Sequence, residues 1–171
     1  RDCRQGMNSI NPDCKGTVIL QNSFIDDGVK SVSSKENILV INIFSTKMIN
    51  VAGFLMSVFE IFSRNNVSVD LISTSEANIS VTVDASQNVD NVIRELSSFA
   101  DVYVDRDKAQ VSVIGKNLDN VTGILEKTFA PLSDYRIYMI SQGASYVNIS
   151  FVVDRTALDK VVSLLHRSLF G

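Results

Sequence analysis

At 171 residues, 45% apolar and 20% charged, the chain has the make-up of one globular domain or two small ones with a real core. A net charge of −3 gives no attraction toward nucleic acid or an anionic membrane. The longest apolar runs, such as Ile38–Phe44, fall well short of the roughly 20 residues of a membrane helix. No basic start leads into an apolar leader, and the chain begins at Arg1, so we expect a cytoplasmic protein and a piece of a longer chain.

Residues 1–27 show no sustained period. Asn11-Pro12-Asp13 and Gly16-Thr17 are turn chemistry and Val18-Ile19-Leu20 is a short apolar run, which reads as a linker entering a compact body. Cys3 and Cys14 lie in it, too few for a disulfide framework or a zinc site, and read as free thiols. Val29–Ser34 is a short strand, Lys35-Glu36-Asn37 a turn, and Ile38–Phe44 a strand by its β-branched content. Val51, Phe54, Leu55, Val58, Phe59 and Phe62 recur at helical spacing, one apolar stripe closed by Asn65-Asn66. Strands follow at Val67–Ser73 and Asn78–Asp84, the latter alternating Ile79, Val81 and Val83 with Ser80 and Thr82. Val89, Val92, Ile93, Leu96 and Phe99 mark a second helix and Val102–Asp105 a closing strand.

An offset of 70 residues lays Val51-Ala-Gly-Phe-Leu over Val121-Thr-Gly-Ile-Leu, and Asn78-Ile-Ser-Val-Thr-Val-Asp over Asn148-Ile-Ser-Phe-Val-Val-Asp. Ile41 and Ile43 fall on Val111 and Val113, and Phe59 on Phe129. The second copy has its own stripes, Val121 to Leu132 and Leu158 to Leu169. The chain is therefore a duplicated β-α-β-β-α unit, an α+β fold of antiparallel four-stranded sheets with helices on one face. The second copy ends with its helix and lacks a fourth strand, which would leave an open sheet edge. Taking Val29–Ser34 as that strand inserts the first unit, 38–106, within the second, 28–37 plus 107–171. The rival source is a longer parent chain or a partner.

Chemistry is harder to find than binding. His166, the single histidine, sits on the last helix among leucines and has the setting of a partly exposed helix residue, not a general base. No phosphate-binding glycine loop is present. Asp26-Asp27 and Asp105-Arg106-Asp107 read as solvated loop charges, and we expect no catalytic residue, no metal site and no cofactor in this chain. Strands bearing Ile41, Ile43, Val111 and Val113 lack the aromatics of an RNA-binding sheet. Asn66, Asn78, Asn120 and Asn148 head Asn-x-Ser/Thr triplets, but two of these open strands, and all four read as chance. A helix opening near Asn50–Gly53 offers unsatisfied N–H groups to a carboxylate, and Gly53 allows close approach. Asp70, on the strand face opposite Val69 and Leu71, is either a solvated edge acid or the acceptor of an ammonium group.

These elements resemble the regulatory region of aspartate kinase, a tandem of ferredoxin-like ACT domains (βαββαβ). The likeness rests on Gly53-Phe54-Leu55, Val58-Phe59, Ser68-Val69-Asp70-Leu71-Ile72 and Thr74-Ser75-Glu76. It continues in Ile114-Gly115, Tyr138-Met139-Ile140, Gly143-Ala144-Ser145, Asn148, and Leu165-His166 with Leu169-Phe170. Asn11-Pro12 and Gly16-Thr17 are similar to the segment joining the catalytic to the regulatory domain, so residues 1–27 become that linker. The resemblance implies a parent enzyme that phosphorylates the β-carboxylate of aspartate, with ATP and Mg belonging to a catalytic domain absent here. It also implies a homodimer through the first unit and an end-product amino acid bound at that junction.

Asp70-Leu-Ile-Ser-Thr-Ser-Glu76 looks most like the lysine-sensitive type. By that resemblance Met48, Phe54 and Leu55 flank the effector, and main-chain groups of the helix start around Gly53 take its carboxylate. Ser68 and Asp70 receive its side-chain ammonium, and Val69, Thr74, Ser75 and Glu76 complete the wall. Val51 stands where that type often carries a serine, which keeps threonine as the alternative ligand. A dimerisation module that ignores amino acids is the reading from another class.

Overall fold

The computed structural model describes residues 27–46, 52–144 and 146–171, with the backbone of Cys3–Arg4 and Val18–Ile19. Met48, Val51, Ser145, Cys14 and most of the expected linker lie outside the described residues. Strands β1 (Cys3–Arg4) and β2 (Val18–Ile19) form a two-residue antiparallel pair. The body consists of β3 (Gly28–Phe44), α1 (Phe54–Arg64), β4 (Ile72–Thr74), β5 (Asn78–Asp84), α2 (Asp90–Leu96) and β6 (Asp101–Lys116). It continues through α3 (Ile124–Phe129), β7 (Met139–Gln142), β8 (Asn148–Asp154) and α4 (Leu158–Phe170). Pro131 follows α3 in a 3-10 turn, Ala130–Leu132, where its missing N–H is harmless. No helix among the described residues is long and apolar enough to cross a membrane.

One antiparallel sheet holds six strands in the order β4-β5-β3-β6-β8-β7. Two long strands make this possible. The Ile38–Phe44 end of β3 pairs with β5 on one side and with Asp101–Asp105 on the other. The Gly28–Lys35 end pairs with Gln110–Lys116, whose other side takes β8. Val29–Ser34 thus completes the second copy, and two four-stranded halves share one continuous sheet. The two strands change register between Lys35 and Ile38, with Asn37 at φ 56 and Asp107 at φ 55. The polar Lys35-Glu36-Asn37 is therefore a bulge inside a strand and not a turn: extra residues and a left-handed asparagine bend the chain without breaking the ladder. The outer strands β4 and β7 come together where Ser141 Oγ donates to the Ile72 carbonyl at 3.3 Å.

Three cores result. Leu39, Ile41, Ile43, Ile79, Val81 and Val83 face α1 and α2 with Val58, Phe62 and Leu96. Ala109, Val111, Val113, Ile149, Phe151 and Val153 face α3 and α4 with Leu118, Val161 and Leu165. The third lies on the other face of the sheet, where Ile38, Val40, Met139 and Val152 pack with Leu71 and Tyr138. Burial on both faces explains why Ile38–Ile41 reads as an unbroken apolar run and not as an alternation.

The expected strand Val67–Ser73 is shorter, with regular pairing only from Ile72 to Thr74. Before it, the Asp70 N–H donates to the Thr82 carbonyl at 2.9 Å and the Thr82 N–H donates to the Leu71 carbonyl at 3.0 Å. Two residues thus stand against one, and alternation fails there. Val69 packs into the first core and Leu71 into the third, so they do not share a face. Asp27 is no free loop charge either, since its carboxylate accepts from the side-chain amides of Asn117 and Asn120 at 2.8 and 3.3 Å.

Candidate functional site

The start of α1 is set by Gly53 at φ 89, a left-handed conformation that costs a side-chain-bearing residue energy. Nothing lies within 4 Å of the place where its Cβ would be. Ser57 closes the first turn by donating its N–H and hydroxyl to the Gly53 carbonyl at 3.0 and 3.3 Å. The Phe54 ring turns inward, edge-on to Phe99 at 5.8 Å between centroids, so what Phe54 offers outward is backbone. Leu55 stays exposed. A hollow of about 660 Å³ over this helix start is lined by Gly53, Phe54, Ser57, Glu60, Arg64 and Phe99, among others.

The strand-side residues form a second group. Ser68 is held at both backbone groups by one side chain: its N–H donates to Gln87 Oε1 at 2.6 Å and its carbonyl accepts from Gln87 Nε2 at 3.0 Å. Thr74 pairs with Ile79, and the Ser75 N–H donates to the Asn78 carbonyl at 2.8 Å, fixing a tight link from β4 to β5 with Glu76 exposed at its tip. Asp70 is not merely solvated. Its Oδ2 lies 2.5 Å from Lys35 Nζ, which also reaches Asp84 Oδ2 at 3.4 Å. The bond to Asp70 holds the Lys35 ammonium above its ordinary pKa. Asp84 is held below its own, first by the Ser86 hydroxyl at 2.6 Å and N–H at 2.9 Å, then by Lys35. Within one chain, the hollow takes in Gly53 and Phe54 and none of Ser68, Val69, Asp70, Thr74, Ser75 or Glu76. The strand-side group thus forms a wall of its own outside this hollow.

The second copy shows what the same framework does with other residues. The Tyr138 N–H donates to the Val152 carbonyl at 2.9 Å, as that of Asp70 does to Thr82, so Tyr138 stands where Asp70 stands. The Tyr138 hydroxyl donates to the Asp154 carboxylate at 2.9 and 3.1 Å. Lys108 Nζ donates to Asp154 at 3.0 Å and to the Arg106 carbonyl at 3.1 Å, and lies 4.3 Å from the Tyr138 ring centre. Arg136 covers that ring at 4.5 Å. Burial opposes both charges, but the bonds between them win: Asp154 sits below the ordinary carboxylate value and Lys108 above the ordinary lysine value.

Lys35, Gln87 and Asp84 were not among the residues the sequence pointed to. For Asp84 a signal existed, because the repeat carries Asp84 onto Asp154. For Lys35 and Gln87 there was none: their partners lie 35 and 19 residues away.

The fold and this doubled arrangement have clear counterparts. A family model described as the ACT domain matches residues 41–97 and again 111–169. The chain belongs to the ACT domain family and contains two such units. The proteins it matches over nearly its whole length are aspartokinases: aspartokinase 1, chloroplastic, of Arabidopsis thaliana is 38% identical over 175 residues, 95% of this chain and 31% of that one. The crystal structure of Escherichia coli aspartokinase III in complex with lysine and aspartate superposes with a TM-score of 0.82 at 32% identity, covering 95% of this chain and 38% of that one. A structure from Porphyromonas gingivalis, assigned to the C-terminal regulatory domain of aspartate kinase, covers 82% of this chain and 97% of its own at 30% identity, with a TM-score of 0.73. The chain thus spans about a third of the length of the full aspartokinases, and corresponds to their regulatory ACT region.

Proposed function

We propose that this chain is the sensing part of an aspartate kinase: it binds lysine, transmits feedback inhibition to a catalytic domain, and pairs two subunits through its first ACT unit. The observation that carries lysine over threonine is that Asp70 already holds an ammonium group, that of Lys35, at 2.5 Å. A neutral hydroxyl can donate one hydrogen bond to that carboxylate but brings no opposite charge, so it gains less there than an ammonium does. The helix start at Gly53–Leu55 supplies backbone N–H groups for the ligand carboxylate. Residues 38–106 form the sensing unit in this reading, and 28–37 with 107–171 the second. The bulges at Asn37 and Asp107, where strand pairing passes from one half to the other, support that division. The parent activity, ATP-dependent phosphorylation of aspartate, is part of the same proposal. A lysine complex of the Escherichia coli enzyme, similar over 95% of this chain, supports it.

The separation of the two walls fits a site completed by a second subunit. β4 is an outer strand of the sheet that touches β7 at the Ile72 carbonyl and leaves its own Ile72 side chain exposed, an apolar surface that a partner subunit can cover. Calorimetric titration with lysine, threonine and methionine tests the reading. Lysine binds and the others bind weakly or not at all; Asp70→Ala loses about 1.5–3 kcal/mol, roughly 10- to 150-fold in Kd, the scale of a hydrogen bond to a charged group. Equal lysine affinity in wild type and Asp70→Ala overturns the assignment of Asp70. A dimer that ignores all three amino acids establishes instead a ligand-independent pairing module.

A further inference from the structure

Asp70 and Tyr138 occupy one place in two copies of the same unit, and beside each a lysine of this chain presents its ammonium. Around Tyr138 that ammonium is locked in. The Lys108 side chain is only 10% exposed, bonded to Asp154 and to a backbone carbonyl beneath the tyrosine ring. Around Asp70 it is held loosely. The Lys35 side chain is 40% exposed, and its partners Asp70 and Asp84 are 33% and 37% exposed. An ion pair as open to water as this one exchanges readily for another of the same chemistry.

We propose that Lys35 is a built-in, displaceable occupant of the ammonium position at Asp70, so that an effector with a side-chain ammonium binds by exchange with it. In the second copy Lys108 fills the equivalent position permanently, and Tyr138 offers no carboxylate to a ligand. The inference rests on the reading of Asp70 as the acceptor of the effector's ammonium. After exchange Lys35 still has Asp84, so no charge is stranded. Lys35 is also the last residue of β3 in register with Gln110 before the strand shifts. The exchange therefore takes place at the point where pairing passes from one ACT unit to the other. Its cost is carried only by ligands that need Asp70, so Lys35 narrows the margin by which lysine is preferred to a neutral side chain of equal length.

Calorimetric titration of the whole chain with lysine and with norleucine, in wild type, Lys35→Met and Lys35→Arg, tests this. Lys35→Met raises the lysine-over-norleucine preference about two- to fivefold, the range spanned by an exposed ion pair, and Lys35→Arg does not. In wild type, the NMR signal of the Lys35 ε-methylene, assigned by its absence in Lys35→Met, moves on adding lysine and not norleucine. If wild type binds lysine but the preference is unchanged or lower in Lys35→Met, exchange is overturned and the effector reading stands. If no variant, wild type included, binds lysine, the effector reading fails and this inference with it.

Discussion

Removing the acid from the Lys108–Asp154 pair and removing the base should not cost the same. The Lys108 side chain is 10% exposed and that of Asp154 43% exposed, so one charge is buried and the other is largely in water. Asp154→Asn leaves a buried ammonium with the Arg106 carbonyl and the Tyr138 ring as its remaining contacts. A lost hydrogen bond to a charged group costs about 1.5–3 kcal/mol, and the exposure of Asp154 reduces this to about 1–2 kcal/mol. Lys108→Met keeps an apolar stem of similar length under the ring and removes the buried charge altogether. Asp154 then retains the Tyr138 hydroxyl and solvent, and the change stays within about 0.5 kcal/mol of zero.

Urea unfolding separates the two variants. With a slope of about 2 kcal/mol/M for a chain of this size, Asp154→Asn lowers the midpoint by roughly 0.5–1 M at pH 7, and Lys108→Met by about 0.25 M at most. The pH dependence follows from the signs. Asp154 is depressed when folded, so its contribution is complete above its ordinary value of 3.8 and is lost as pH falls through the lower folded value. Lys108 is raised when folded, so its contribution is complete below 10.5 and is lost as pH climbs through the higher folded value. The gap between wild type and Asp154→Asn is thus flat between those limits and closes toward pH 2. A Lys108→Met variant as unstable as Asp154→Asn, or a gap that persists at pH 2, refutes this account.

Two glycines should fail for different reasons. A Cβ on Gly115 would stand 2.4 Å from Leu118 Cδ2 and 2.5 Å from the Gly28 carbonyl oxygen, so Gly115→Ala forces backbone apart and costs about 1–3 kcal/mol in urea unfolding. Gly53→Ala meets nothing within 4 Å and loses only the ease of φ 89, about 1 kcal/mol, with helix content by circular dichroism unchanged. Phe151 is fully buried and meets Phe129 edge-on at 5.3 Å, so Phe151→Ala costs about 3–5 kcal/mol, enough to lower the melting temperature by several degrees.

What could be read in advance was what repeats and what alternates. The stripe from Phe54 to Phe62, the Ile79-Val81-Val83 alternation and their echoes at the 70-residue offset each report burial at a fixed period. So the two units and their helices were visible, and the strand missing from the second copy pointed back to Val29–Ser34. Three things escaped because none has a period. Lys35-Glu36-Asn37 has turn composition whether the chain reverses or only bulges, and the choice is made by pairing with residues 108–110, far along the sequence. Asp70 and Leu71 both stand against Thr82, which no pattern in Val67–Ser73 announces. The third core draws Ile38, Leu71, Met139 and Val152 from four separate segments. Of the site, the acid was legible and its present partner was not.

The third core also says how the two units can influence each other. Leu71 and Met139 hold equivalent places, each next to the residue that differs between the copies, Asp70 in one and Tyr138 in the other. Both side chains pack into the same small cluster with Ile38 and Val40, just beyond the bulge that begins at Lys35. A change at Asp70 therefore has two short routes into shared structure: along the chain to Leu71, and through the ion pair with Lys35 into β3. The counterpart at Tyr138 is fixed by Asp154, Lys108 and Arg136 and resists change. With the proposed exchange at Asp70 and a buried, multiply bonded ammonium at Tyr138, a response to effector is expected to start in the first unit and to be resisted by the second. The coupling is expected in the cluster that Leu71 and Met139 share, where enlarging or trimming either side chain should alter the response to lysine in calorimetric titration without touching the residues proposed to bind it.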